Sequence, residues 1–257
     1  MKANIHMKNI YRKLFGLTLV SSAALLVGCS WFNDKPPVTT FENPSSSRTF
    51  EDYPVNGKVL AQQVCAACHG IDGQAAYPMF PNLAGQQKDY FVVQMNSFRD
   101  HSRSDKYAIA YMWGMARLSD EQINVIADYY SLQKPMVGEQ INSPELAHGK
   151  EIFEKGIPDI GLVACSTCHG VNGAGNAEIP RIAGQHSEYI YKQVLVFQHP
   201  EQKALMEMGG KTWEPKDYDL HRNLTHGAAM NAIVGKMSDE DVRAVALYLN
   251  SLNTNIN

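Results

Sequence analysis

The sequence predicts an all-α protein made of two tandem copies of one helical domain. Three observations carry this prediction. Short motifs recur in register along the two halves, capped amphipathic segments close each copy, and no alternating apolar and polar run marks a substantial sheet. Gly57-Lys58 and Gly149-Lys150 open the copies, Gly73 matches Gly173, and Ala84-Gly85-Gln86 matches Ala183-Gly184-Gln185. Tyr90, Gln94 and Phe98 match Tyr189, Gln193 and Phe197. Leu118-Ser119-Asp120-Glu121 matches Met237-Ser238-Asp239-Glu240. The offset grows from 100 residues at the cysteine pairs to 119 at these last motifs, which places an insertion at 198–229. One ancestral domain, duplicated, explains the pattern.

The closing segments read as helices. Ser119 is an expected N-cap, with Gln122 completing a capping box and Leu118 facing Ile123 as a hydrophobic staple. Ser238 repeats the cap, with Met237 facing Val242. Ile123, Ile126, Ala127 and Tyr130 then share one helix face, as do Val242, Val245, Ala246 and Leu249. Pro135, Gly138 and Pro144 mark a linker at 135–144, between a first domain at 53–134 and a second at 145–257.

The N-terminus is a separate matter. Lys2, Lys8, Arg12 and Lys13 precede a stretch from Leu14 to Gly28 that is almost wholly apolar or small. Residues 1–28 therefore read as a secretory signal, too short for a membrane span. Leu26-Val27-Gly28-Cys29 resembles the bacterial lipoprotein box, which would make Cys29 the lipidated first residue of the mature chain. Ordinary cleavage nearby is the alternative, leaving Cys29 as a free thiol or an intermolecular disulfide. Ser30 in place of Asp leans towards the outer membrane. The Ser-, Pro-, Thr- and Asn-rich remainder of 29–52 reads as a flexible tether, spanning roughly 25–30 Å as a coil.

The chemistry sits in one pentapeptide present twice, Cys65-Ala66-Ala67-Cys68-His69 and Cys165-Ser166-Thr167-Cys168-His169. Each is C-x-x-C-H, the attachment signature of c-type haem. Two thiols bond to the two porphyrin vinyl groups, and the next histidine meets the iron. A zinc site wants its cysteine pairs much closer than 100 residues, and no βαβ pattern supports a thioredoxin-like reading. Two covalently bound haem c groups are expected. Export fits, since bacterial attachment of haem c takes place outside the cytoplasm.

Loss of residues 1–28 removes four basic and no acidic residues, leaving 19 basic against 26 acidic. Nucleic acid is excluded as a natural partner, whereas an acidic carrier suits a basic patch on a redox protein.

His69 and His169 are the expected proximal ligands. Pro81 and Pro180 are candidate acceptors for the other imidazole N–H through their carbonyls, or else ordinary turn prolines. A methionine is the expected distal ligand. Met112 lies seven residues before Ser119 and Met115 four, while Met230 lies eight before Ser238. Counting forward instead, Met112 follows His69 by 43 residues and Met208 follows His169 by 39. The backward ruler avoids the insertion and favours Met230, with Met208 and Met115 as the fallbacks. Met237 occupies a staple position and is better explained by packing. His101, His148, His186, His199, His221 and His226 are expected at surfaces and caps, although His221 and His226 leave a bis-histidine second haem open. Tyr90, Gln94, Tyr189 and Gln193 fit either hydrogen bonding near a haem or a packed helix face.

From Gly57 to Leu252 the chain resembles the dihaem cytochrome c4 family. The resemblance rests on Cys-x-x-Cys-His-Gly with Asp72-Gly73 or Asn172-Gly173, on Phe80-Pro81-x-Leu83-Ala84-Gly85-Gln86, on Tyr90-x-x-x-Gln94 and on Leu118-Ser119-Asp120, with the second copy in register. It implies two cytochrome c-like helical domains in pseudo-twofold relation, with His/Met haems whose propionates face each other across the interface. It also implies single-electron transport in the periplasm, from a donor such as a quinol–cytochrome c reductase towards a terminal oxidase. Met112-Trp113-Gly114-Met115 resembles the family's first ligand segment with one residue deleted, which supports Met112. The insertion and the lipobox depart from the family. A dihaem enzyme, such as a peroxidase or sulfur-compound oxidoreductase, is the competing class. It would need acid–base groups beside an open iron, and His199, Glu201, Glu207, Asp219 and His221 in the insertion are the stretch that could supply them.

Overall fold

The computed structural model describes residues 56–198, 206–208, 211–213 and 225–253. The expected signal at 1–28, Cys29, the tether and most of the insertion, with His199, Glu201, Asp219 and His221, lie outside the described residues.

Asn56 starts the first domain as a cap, its Oδ1 accepting from Val59 N at 3.1 Å. Helix α1 (Gly57–Leu60) runs without a break through a π-helical stretch (Ala61–Cys65) into α2 (Ala66–His69). Helix α3 (Lys88–Arg99), a second π-helical stretch (Ala108–Met112) and α4 (Asp120–Ser131) complete this half. The second half repeats the order with α5 (Glu145–Lys155), a 3-10 turn (Pro158–Ile160), α6 (Ser166–His169), α7 (Ser187–Gln198), α8 (Thr225–Val234) and α9 (Asp239–Ser251). Within the insertion, β1 (Met206–Met208) pairs antiparallel with β2 (Lys211–Trp213), Met206 opposite Trp213. Among the described residues the fold is all-α apart from this short ribbon. Among the described residues no helix is long and apolar enough to cross a membrane.

Both expected caps form. Ser119 Oγ accepts from Gln122 N at 3.2 Å while Gln122 Oε1 accepts from Ser119 N at 2.9 Å. In the second half Asp241 does the work of Gln122, accepting from Ser238 N at 3.0 Å. The predicted apolar faces are the buried ones, with Ile123, Ile126, Ala127 and Tyr130 in one core and Val242, Val245, Ala246 and Leu249 in the other. Helix α4 packs on α1 and α3, and α9 on α5 and α7, so each domain closes its first helix against its last.

That crossing explains the repeated Gly-Lys pair. A Cβ on Gly57 would fall 1.9 Å from Val125 O, and one on Gly149 would fall 2.0 Å from Ala244 O. Backbone cannot yield as a flexible side chain does. Gly57→Ala and Gly149→Ala are each expected to cost about 1–3 kcal/mol through forced displacement of the helix pair. Denaturant midpoints would show it; an unchanged midpoint would mean that the helices cross farther apart.

The segment between the domains packs against both. A Cβ on Gly85 would meet the Pro135 ring at 2.3 Å, and one on Gly184 would meet Met136 O at 2.8 Å. Glu139 N donates to Asn250 O at 3.1 Å, and Gly138 N to Asn253 Oδ1 at 2.7 Å. The two loops that follow the cysteine motifs meet across this seam in a reciprocal clamp. Gln86 bonds the backbone of Arg181, donating to its carbonyl at 3.0 Å and accepting from its N–H at 2.8 Å. Gln185 does the same to Asn82, at 3.0 and 2.8 Å. Arg181 Nε donates to Gly85 O at 2.8 Å, and Asn82 Nδ2 to Gly184 O at 3.2 Å. All four side chains are buried. Because Gln86 and Gln185 are equivalent in the repeat, as are Asn82 and Arg181, the interface obeys the duplication's own two-fold logic.

Candidate haem centres

Each C-x-x-C-H motif lies on a short helix that ends in a glycine of positive φ, +77° at Gly70 and +79° at Gly170. The chain then doubles back on Gly73 and Gly173. Gly73 O accepts from Leu83 N and Ala84 N at 2.7 and 3.0 Å, and Gly173 O from Ile182 N and Ala183 N at 2.9 and 3.0 Å. This return places a proline carbonyl on each motif histidine. His69 Nδ1 donates to Pro81 O at 2.9 Å, and His169 Nδ1 to Pro180 O at 3.0 Å. A carbonyl only accepts, so the proton sits on Nδ1 and the Nε2 lone pair is left for a metal. Both imidazoles are buried, and burial holds both below their ordinary pKa.

The thiols agree with this chemistry. Cys65, Cys68, Cys165 and Cys168 are all outside disulfides. Burial pushes the Cys65 and Cys165 thiols up to about 11, which keeps them neutral rather than reactive thiolates. Among the described residues no group of three or more His, Cys, Asp or Glu is placed to hold a bare metal ion. Two thiols one helical turn apart, followed by an imidazole with its Nδ1 already satisfied, are the donor set that haem c requires.

Of the candidate methionines, Met112 packs against the first core, as Cys65 and Leu83 do, and Met230 against the second, as Cys165 and Ile182 do. Cys65 and Leu83 are equivalent to Cys165 and Ile182 in the repeat, while the two methionines stand seven and eight residues before their capping serines. Met115 is 52 % exposed, and Met237 is buried in the core beside Val242. Met208 lies on β1, with its side chain outside the described residues, and so does that of His226 on α8.

Several groups between the halves were not foreseen as interface residues. Arg103 is buried and joins both domains, donating to Gln94 Oε1 at 2.7 Å and to Gln193 Oε1 at 2.8 Å. Its Nε donates to Asp105 at 3.1 Å in an equally buried ion pair. The repeated glutamines thus meet through one guanidinium. His186, expected at a surface or a cap, stands at the cap position of α7, its carbonyl accepting from Ile190 N at 3.0 Å, and is buried, with Nε2 3.0 Å from Ala75 O of the other half. His148 and His101 do lie at the surface, one paired with Asp241 and the other stacked on Trp113.

The Cytochrome c family matches residues 54–131 and 146–253, one match for each motif. A cytochrome c4 of Stutzerimonas stutzeri is 35 % identical over 76 % of this chain and 86 % of its own. The solved cytochrome c4 of Acidithiobacillus ferrooxidans superposes with a TM-score of 0.61 at 34 % identity, covering 73 % of this chain and 98 % of the other. This chain belongs to the cytochrome c4 family. It is accordingly a dihaem electron-transfer cytochrome with two covalently bound haem c groups, and its partners are redox proteins. A thiosulfate dehydrogenase electron acceptor of Thiomonas intermedia is similar too, 31 % identical over 72 % of this chain and 76 % of its own.

Proposed function

We propose that this cytochrome c4 homologue is a non-catalytic shuttle for single electrons, with two His/Met centres. The observation that carries the proposal is the pair of imidazole-to-proline hydrogen bonds, each with a methionine on the same domain core. Bound haem supplies a one-electron iron couple. Cys65 and Cys68, and Cys165 and Cys168, hold it as thioethers. His69 and His169 ligate through Nε2, with Pro81 and Pro180 fixing ring orientation and tautomer. Met112 and Met230 would each supply a thioether sulfur to the iron, which would leave no seat there for a substrate and so separate a carrier from a peroxidase.

The domain division follows the duplication, 53–134 and 145–257 about a linker at 135–144, with the insertion at 198–229 as a partner-specific surface or a cover over the second haem. Signal removal and lipidation of Cys29 would anchor the chain in the periplasm, on the outer membrane by the Ser30 sorting preference. The family resemblance supports a quinol–cytochrome c reductase as donor and a terminal oxidase as acceptor. The similarity to a thiosulfate dehydrogenase electron acceptor favours a second donor class, a dehydrogenase that oxidises a small sulfur anion. The test is the absorption and low-temperature EPR spectrum of the ferric protein. Two low-spin centres with the methionine-to-iron charge-transfer band are expected. A high-spin or bis-histidine centre would move the second domain to the enzyme reading.

A further inference from the structure

Lys192 belongs to α7 of the second domain, yet its ammonium is held by the first. Nζ donates to Met79 O at 2.6 Å and stands 4.4 Å from the centre of the Tyr107 ring. Its own domain contributes Tyr189, whose ring centre is 4.9 Å away. Met79 lies two residues before Pro81, the residue whose carbonyl holds His69. A cation from the second domain is thus fixed on the loop whose Pro81 carbonyl holds His69.

The repeat shows why the two sites differ. With Tyr90 and Gln94 aligned on Tyr189 and Gln193, the counterpart of Lys192 on α3 is Val93. One domain therefore sends a cation across the seam and the other has an apolar residue at that position. The other charged groups near the ammonium are Asp105, Arg103 and Lys106. Asp105 attracts the ammonium, but it is paired with Arg103, which together with Lys106 acts on Lys192 with the opposite sign.

We infer that Lys192 sets the order of the two centres, raising the potential of the haem held by His69 relative to that held by His169. A nearby positive charge favours the reduced iron, which carries one positive charge fewer. One electron enters from a reduced partner protein and leaves to an oxidised one, with no bond made or broken. The inference rests on the two-haem His/Met reading above.

The experiment is a redox titration of the full dihaem protein, as wild type, K192M and K192R. Methionine keeps much of the stem without the charge, and arginine keeps the charge. K192M is expected to lower one midpoint only, namely the one that Met230→His leaves in place, while K192R stays with the wild type. Equal movement of both midpoints, or none, overturns the inference. So do equal shifts in K192M and K192R, which would put the effect in the Met79 contact rather than the charge. Spectra of the same samples separate the two levels: low-spin His/Met centres with unmoved midpoints sink the role of Lys192 alone. A high-spin or missing haem sinks both.

Discussion

A Met230→His variant is expected to keep both haems covalently attached and to lower the midpoint potential of the second haem alone. The thioether sulfur favours ferrous iron, and an imidazole in its place favours ferric iron. Axial ligands set haem potentials over roughly 0.8 V, so this single change draws on the largest lever the protein has. Attachment should survive because Cys165 and Cys168 lie on a different element, the α6 region, while Met230 belongs to α8. Met230→Ala tests the same assignment from the other side. It opens the sixth position, so a high-spin ferric signal and a gain of peroxide reactivity are expected where the wild type has neither. Met112→His should reproduce the potential drop at the first haem. Met115→Leu should leave both centres unmoved, since Met115 is half exposed and off the core. Unchanged spectra in the Met230 variants would remove that residue from the iron, and Met208 would be the next to test.

Much of this was legible because it is local. The order of Cys65, Cys68 and His69 is a covalent requirement, and Ser119-x-x-Gln122 closes a cap within one turn. The apolar faces of α4 and α9 follow from helical periodicity, which any three or four neighbours reveal. The seam was not legible, for a physical reason. Gln86 and Gln185 stood out as repeats, but each bonds backbone atoms of a residue 95 or 103 positions away, and a sequence does not display backbone acceptors. Arg103 has no matched partner in the repeat pattern, so nothing drew attention to it. The burial of His186 was not legible because a histidine carries no signal of burial until Ala75 O arrives from the other domain. Pro81 and Pro180 stood between turn residue and hydrogen-bond acceptor. Only the return of the chain onto Gly73 and Gly173 brings their carbonyls to the imidazoles.

Gln86→Ala and Gln185→Ala are expected to disturb the haem of the domain that does not carry the mutation. Gln185 holds the backbone of Asn82, the residue after Pro81, and Gln86 holds Arg181, the residue after Pro180. Truncating either glutamine strips one buried N–H and one buried carbonyl across the seam of their partners, and it also frees the N–H of the next residue in its own domain, Gln87 or His186. Each buried orphan costs about 1–3 kcal/mol, so the two at the seam alone should cost on the order of 2–6 kcal/mol. The two clamps share one interface, so their losses will not add, and the double variant measures the coupling between domains. A single unfolding transition should separate into two as that coupling falls. Calorimetry reads this directly, and NMR of the haem ligands reads the cross effect. Gln185→Ala should move the resonances of the His69 ring more than those of His169, and Gln86→Ala the reverse. Shifts confined to the mutated domain would mean that the clamp holds the halves together without governing how either imidazole is aimed. The potential of each centre would then be set inside its own domain, with Lys192 as the exception.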